Sequence, residues 1–242
     1  MEYGLAFWLI AGIGVIFTGI SKSGFAGGAG VVAVPLITLF LPIQDAIVVM
    51  LPLLLLMDAK TIHYYRGKAD WAILKQLLPA AITGIALAGF ALSALSEFTL
   101  TLLLALISIV FSVWQKLTPI LGRLPGAALL WGMTSGITST LIHAGGPPLN
   151  IYLLAKQLDK LVWLATAGIF FGVMNVVKLV PYTLNEQWRM ELFLVAIALI
   201  PLAFVGVWLG KVIQTKISEQ RFVQACRMLL LLSGILLLLK LV

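Results

Sequence analysis

Ser135-Gly136-Ile137-Thr138-Ser139-Thr140-Leu141-Ile142-His143-Ala144-Gly145-Gly146-Pro147-Pro148, with Asn150 two residues further on, separates an apolar run at 126 to 142 from another at 145 to 155. The second run has 11 residues. That is about 16 Å of helix, whereas crossing ~30 Å of hydrocarbon takes about 20 residues. It therefore predicts a half-helix or a re-entrant piece. Glycines are poor helix formers, and backbone groups freed from a helix need protein or water as partners, so such a break cannot face lipid. The two prolines suit the first turn of a new helix, a place with no use for the amide they lack.

A comparable interruption lies earlier in the chain: Gly19-Ile20-Ser21-Lys22-Ser23-Gly24-Phe25-Ala26-Gly27-Gly28-Ala29-Gly30, running on to Pro35. Around both breaks the composition leaves one solvent. Of 242 residues, 62% are hydrophobic and 10% charged, against about a quarter charged in soluble domains. No globule of this length hides so much apolar side chain from water. An integral membrane protein follows, and disorder, a disulfide scaffold and nucleic-acid binding drop out, the last because the basic residues are scattered among apolar runs. Cys226 stands alone, and His63 and His143 are the only histidines, so a Cys/His metal site lacks ligands and no metal is expected. Met1-Glu2-Tyr3 carries no basic n-region; the first apolar run reads as a retained span.

Apolar segments fall near 5 to 20, 24 to 42, 46 to 62, 73 to 95 and 98 to 115, and after a polar break at Gln115 to Pro125 near 126 to 142, 145 to 155, 161 to 184, 191 to 213 and 222 to 242. Laid over itself at a shift of 117, the chain matches Met57-Asp58 to Met174-Asn175, Trp71 to Trp188 and Gly89 to Gly206; at 118, Gly27-Gly28 matches Gly145-Gly146. The expected fold is an all-α polytopic helical bundle of two repeats, 1 to 118 and 119 to 242, with five segments each. An odd number of crossings turns the second copy upside down, the inverted repeat of many secondary transporters. With the loop at 63 to 71 taken as cytoplasmic, 12 of the 16 basic residues lie at inward ends, which puts both termini on the outer side. The +7 charge is then a topological signal.

Polar residues inside the apolar mass are the functional candidates. A helix restarting after Gly27-Gly28 or Gly145-Gly146 exposes amides and a positive dipole end to an anion. Ser21, Ser23, Ser139 and Thr140 add hydroxyls, Lys22 a charge, His143 a titratable ring and Asn150 an amide, with Gly24 giving close access to the backbone. His143 is equally readable as hydrogen-bonded structure. Gly12, Gly14, Gly84, Gly89, Gly206 and Gly210 read as helix-packing glycines. Asp58 and Asn175 occupy equivalent repeat positions. They are candidates for coupling or helix capping, and Asp58, about one turn from the His63 loop, reads as interfacial. The aromatic and basic loop His63 to Trp71 reads as a headgroup anchor.

The run Ser21-Lys22-Ser23-Gly24-Phe25 leading through Gly27-Gly28 to Val34-Pro35-Leu36, the Arg66-Gly67 loop ending in Asp70-Trp71, and the second Gly-Gly-Pro motif resemble the TauE/SafE family of sulfite and organosulfonate transporters. The resemblance covers nearly the whole chain. It implies movement of a small sulfur oxyanion or organosulfonate across the bacterial inner membrane without ATP hydrolysis and without a bound cofactor. Pro147-Pro148 departs from the glycine or Val-Pro of many members, which bears on the contacts of that half. An anion with three acceptor oxygens agrees with the residues at the breaks. The alternative is a passive anion channel of similar architecture. An enzyme lacks a second catalytic group, and no Walker loop supports a pump. The partners expected are the anion and the lipid bilayer. Whether a proton or sodium gradient drives transport, and whether the apolar faces meet a second subunit as a homodimer, stay open.

Overall fold

In hydrocarbon only a helix satisfies its own backbone within one segment, and helix is the only regular secondary structure among the described residues. The computed structural model describes residues 3–27, 32–113, 121–216 and 218–241. Its helices are α1 (Leu5–Gly24), α2 (Ala33–Thr38), α3 (Ile43–Tyr65), α4 (Trp71–Leu92), α5 (Glu97–Val113), α6 (Ala127–Ile142), α7 (Gly146–Ala155), α8 (Lys160–Leu184), α9 (Met190–Ile213) and α10 (Glu219–Leu241). Among the described residues six of them, α1, α3, α4, α8, α9 and α10, are long and apolar enough to cross a membrane, and α5 and α6 are shorter apolar helices.

The expected ten segments are present with one change of kind. The apolar run 24 to 42 does not form a span: its only helix is the six-residue α2. Turn and bend residues from Phe25 to Gly27 precede it and Pro42 follows it, so the early break also leads to a half-helix. Gly28 and Gly30, and Gln115 to Pro119 of the polar break, lie outside the described residues.

The most extensive helix pairings are exchanged among themselves when each helix is replaced by the one five places on. α1 packs on α9 as α6 packs on α4, α8 packs on α4 as α3 packs on α9, and α3–α8 and α5–α10 pair across the exchange. Glycine permits the closest crossings. A Cβ on Gly136 of α6 would come within 2.1 Å of the Ala81 carbonyl oxygen, and one on Gly84 of α4 within 2.2 Å of that of Met133. On the matching α1–α9 crossing, a Cβ on Gly206 would lie 2.6 Å from the Ile16 carbonyl oxygen and one on Gly210 2.1 Å from Ser23 Oγ. Gly24 belongs to this crossing too, its Cβ position 2.8 Å from the Gly210 carbonyl oxygen. Its role is packing.

Two ends of the bundle can be told apart. At one, Lys160 donates to the Gln214 carbonyl and Gln214 to the Tyr65 hydroxyl, gathering the α3–α4, α7–α8 and α9–α10 connections. At the other, Arg189 pairs with Asp45, Phe40 meets Phe7 edge-on, and Lys240 reaches the Thr38 carbonyl. The start of α1 and the end of α10 are at this second end. Filling the α4–α6 crossing is expected to strain it. Gly136→Leu should lower the thermal stability of the purified protein by about 1–3 kcal/mol, whereas Gly4→Ala, with nothing within 4 Å of its Cβ, should leave the melting temperature unchanged.

Candidate functional site

Helix α3 continues to Tyr65, so Asp58 sits two turns inside its end rather than at an interface. It is 2% exposed, as is Asn175 on α8. The two residues, 117 apart in sequence, meet where α3 and α8 pack: Asn175 Nδ2 donates to Asp58 Oδ2, and Lys22 Nζ on α1 is ion-paired with Asp58 Oδ1. Lys22 is 7% exposed, and its Nζ lies 4.8 Å from the centre of the Phe171 ring. The carboxylate thus has a donor on each oxygen, the arrangement that makes a buried charge tolerable. Lys22 is a partner of Asp58 and does not snorkel to a headgroup.

A second cluster lies against the later break. Lys178, on α8 and three residues after Asn175, is fully buried, and its Nζ donates to Ser139 Oγ (3.0 Å) and the Ser139 carbonyl (3.2 Å) and lies 2.8 Å from His143 Nδ1. His143 Nε2 is 2.8 Å from the Ile47 carbonyl oxygen, a contact in which the ring donates. Lys178 makes no ion pair among the described residues. Sequence reading passed over this lysine. Its signal was a cation inside the apolar run 161 to 184, three positions from Asn175 and so on the same helix face.

Between the clusters is a cavity of about 20 Å³ lined by Lys22, Gly27, Leu54, Ser139, His143, Gly146, Phe171 and Asn175. That is room for about one water. Six of the residues picked from sequence therefore meet there: Lys22, Gly27, Ser139, His143, Gly146 and Asn175. Others turn elsewhere. Ser23 Oγ donates to the carbonyls of Gly19 and Val207, Thr140 Oγ1 to that of Gly136, and Gly145 packs on Ser135 and Ser139. Ser21 is buried in α1 away from the lining, as is Asn150 in α7, whose Oδ1 is buried without a hydrogen-bond partner. Gly28 is outside the described residues.

The expected amide cradles are weaker than the motifs suggested. α2 starts at Ala33, six residues beyond Gly27. α7 starts at Gly146, but Pro147 and Pro148 bring no amide and Leu149 N is bonded to the Gly145 carbonyl, so its first turn offers few free donors.

The two breaks share a backbone closure. Gly27 N donates to the Ser21 carbonyl and Ala144 N to that of Thr138, each six residues back and so one residue wider than the long bond of a Schellman end. Ala26 and His143 both take left-handed backbone, φ 51° and 54°. All of these pairs are 117 apart, so one register runs through the breaks, and the glycine pairs matched at 118 are displaced from it by one residue. Tyr65 and Tyr182 keep the register as well: each hydroxyl donates to a carbonyl of the broken helix, Ser23 at 2.6 Å and Thr140 at 2.8 Å. Tyr65 is 4% exposed, so it is not the headgroup anchor its loop suggested.

Removing one member of the central pair should expose its worth. Lys22→Met strands a buried carboxylate and is expected to cost about 3–5 kcal/mol. Adding Asp58→Asn should recover much of that loss, with a coupling of about 0.5–3 kcal/mol in a double-mutant cycle followed by thermal unfolding. Additive effects would mean that the pair does not form.

The family model for Sulfite exporter TauE/SafE matches residues 10–237, nearly the whole chain. No curated protein and no solved structure matches it. Helices of membrane-spanning length, broken helices and buried charges meeting at a shared cavity suit a family of membrane transporters that are not enzymes. By that match over almost its full length, the chain belongs to the TauE/SafE sulfite exporter family.

Proposed function

We propose that the chain is a secondary transporter that carries sulfite or an organosulfonate across the bacterial inner membrane, by alternating access to the cavity between the two helix breaks. One observation carries this reading: of two buried lysines, Lys22 lines that cavity and Lys178 stands behind its Ser139 and His143, with a single buried carboxylate, Asp58, to balance them. The balance leaves positive charge for an anion to meet. Ser139 and Asn175 supply donors that suit sulfonate oxygens.

The two halves, 1 to 118 and 119 to 242, are read as an inverted repeat. The helix-pairing scheme and the register of 117 support it. Parity supports it as well, because α1 with α2 adds either two crossings or none to the three helices that follow, and the total is odd in both cases. With the end bearing Lys160, Gln214 and Tyr65 facing the cytoplasm, both termini face the periplasm, in keeping with the basic residues of those loops.

Tyr65 and Tyr182 act as matching latches, each tying a broken helix to the long helix beside it at one end of the path. With both closed, a cavity of about 20 Å³ is too small for a sulfonate, which supports rocking of one half against the other over an open pore. The double variant Lys22→Met with Asp58→Asn, which leaves no stranded carboxylate, is expected to reduce sulfite or sulfonate flux in proteoliposomes at least tenfold while the protein stays folded in the membrane. Normal flux in that variant removes the lysine from the mechanism. Wild-type flux should saturate and run uphill on an ion gradient; flux that never runs uphill supports the channel instead.

A further inference from the structure

We propose that Lys178 and His143 together hold one proton that enters and leaves the site with each anion, so that the transporter moves anion and proton in a one-to-one, electroneutral step. The inference rests on the anion-transport reading above. It starts from His143, whose Nε2 lies 2.8 Å from the Ile47 carbonyl oxygen. A carbonyl only accepts, so Nε2 carries a hydrogen, and Nδ1 alone is free to change. Nδ1 lies 2.8 Å from Lys178 Nζ and 3.1 Å from the Ser139 carbonyl oxygen. A proton here has two homes. Either Lys178 is an ammonium donating to a bare Nδ1, or His143 is an imidazolium whose Nδ1 hydrogen reaches Ser139 and a neutral Lys178 amine.

Removing that proton leaves every buried polar atom of the pair a partner. A neutral amine has two hydrogens, enough for the Ser139 carbonyl and the bare Nδ1, and its lone pair can accept the Ser139 hydroxyl hydrogen, while Nε2 stays on Ile47. Only the charge changes, from one positive to none. The other charges around the pair are Lys22 from α1 and Asp58 from α3, which pair with each other. Tyr182, one turn further along α8, has its hydroxyl on the Thr140 carbonyl. α4, on the other flank of α8, presents no buried ionisable side chain among the described residues. The protonated site therefore carries one surplus positive charge and the deprotonated site none. A buried cation without a counterion is costly, and a monovalent sulfonate beside it removes the cost. Binding the anion takes a proton from the solution onto the pair, and release of the anion on the far side returns that proton to solution there.

The test counts protons. Purified protein in weak buffer with a pH indicator is titrated with methanesulfonate and benzenesulfonate, neither of which titrates near neutrality. Sulfite binding is followed separately by thermal shift. Wild type should take up about one proton per sulfonate bound on the alkaline side, with affinity falling toward tenfold per pH unit there. Lys178→Arg, permanently charged, should still bind the anion but take up no proton and lose the pH dependence; Lys178→Met should lose binding. His143→Gln keeps a donor and an acceptor but cannot be protonated, so proton uptake should persist on Lys178 with the pH midpoint displaced. An unmoved midpoint removes His143 from the pair. Sulfonate bound by wild type with no proton uptake, or unchanged uptake in Lys178→Arg, overturns the coupling and leaves the anion reading standing. No binding of methanesulfonate, benzenesulfonate or sulfite at any pH overturns both. The wild-type proton count needs no variant to fold.

Discussion

A carboxylate in the middle of a membrane bundle has to be met on both oxygens by the protein, because lipid offers nothing. Asp58 is met by Lys22 and Asn175, and that requirement draws α1, α3 and α8 to one point. The bond from Asn175 joins the two halves of the chain directly. Around this point backbones must come close, and the glycines of the α1–α9 and α4–α6 crossings let them do so where any Cβ would strike a carbonyl or a hydroxyl. The helix breaks bring Gly27 and Gly146 to the lining of the cavity beside this point.

Much of this was legible in the sequence because it concerns what lipid forbids. Span lengths, the shortness of α7, the glycine crossings and the oddity of Lys22 and Asp58 all show as departures from an apolar background. What a polar residue then touches is a long-range matter. Asp58 read as interfacial because local spacing set it near a loop, but α3 runs on to Tyr65, and its partners come from positions 22 and 175. Ser23 and Thr140 read as ligand donors because hydroxyls beside a break are chemically suited to that. The backbone carbonyls of their own helices, and for Ser23 that of Val207, claim them instead. Lys178 reads from sequence only as a basic residue within or at the edge of an apolar segment, because its partners Ser139 and His143 lie 39 and 35 positions away.

The register of 117 shows where the halves agree and where they part. Backbone and latch are kept: left-handed residues at 26 and 143, tyrosines at 65 and 182, and hydroxyl-to-carbonyl bonds onto Ser23 and Thr140. The charges are not. Lys22 stands where the second half has Ser139, and Lys178 stands where the first half has Thr61. Each half contributes one lysine, from its broken helix in one case and its long helix in the other. Asp58 likewise faces an amide, whereas a carboxylate at position 175 would set two carboxylates together and force them to share a proton.

That asymmetry gives the two lysines different work. Lys22 is tied to a carboxylate, so its charge is neutralised whether or not an anion is present. Lys178 is tied to a hydroxyl, a carbonyl and an imidazole, none of which carries a compensating negative charge. If both had carboxylate partners the site would be neutral at rest and indifferent to an anion. If neither had, two bare cations would be buried near each other with no carboxylate to balance either. One paired and one unpaired lysine leave a single charge without a counterion, and on that charge rest both the anion binding and the proton coupling proposed above.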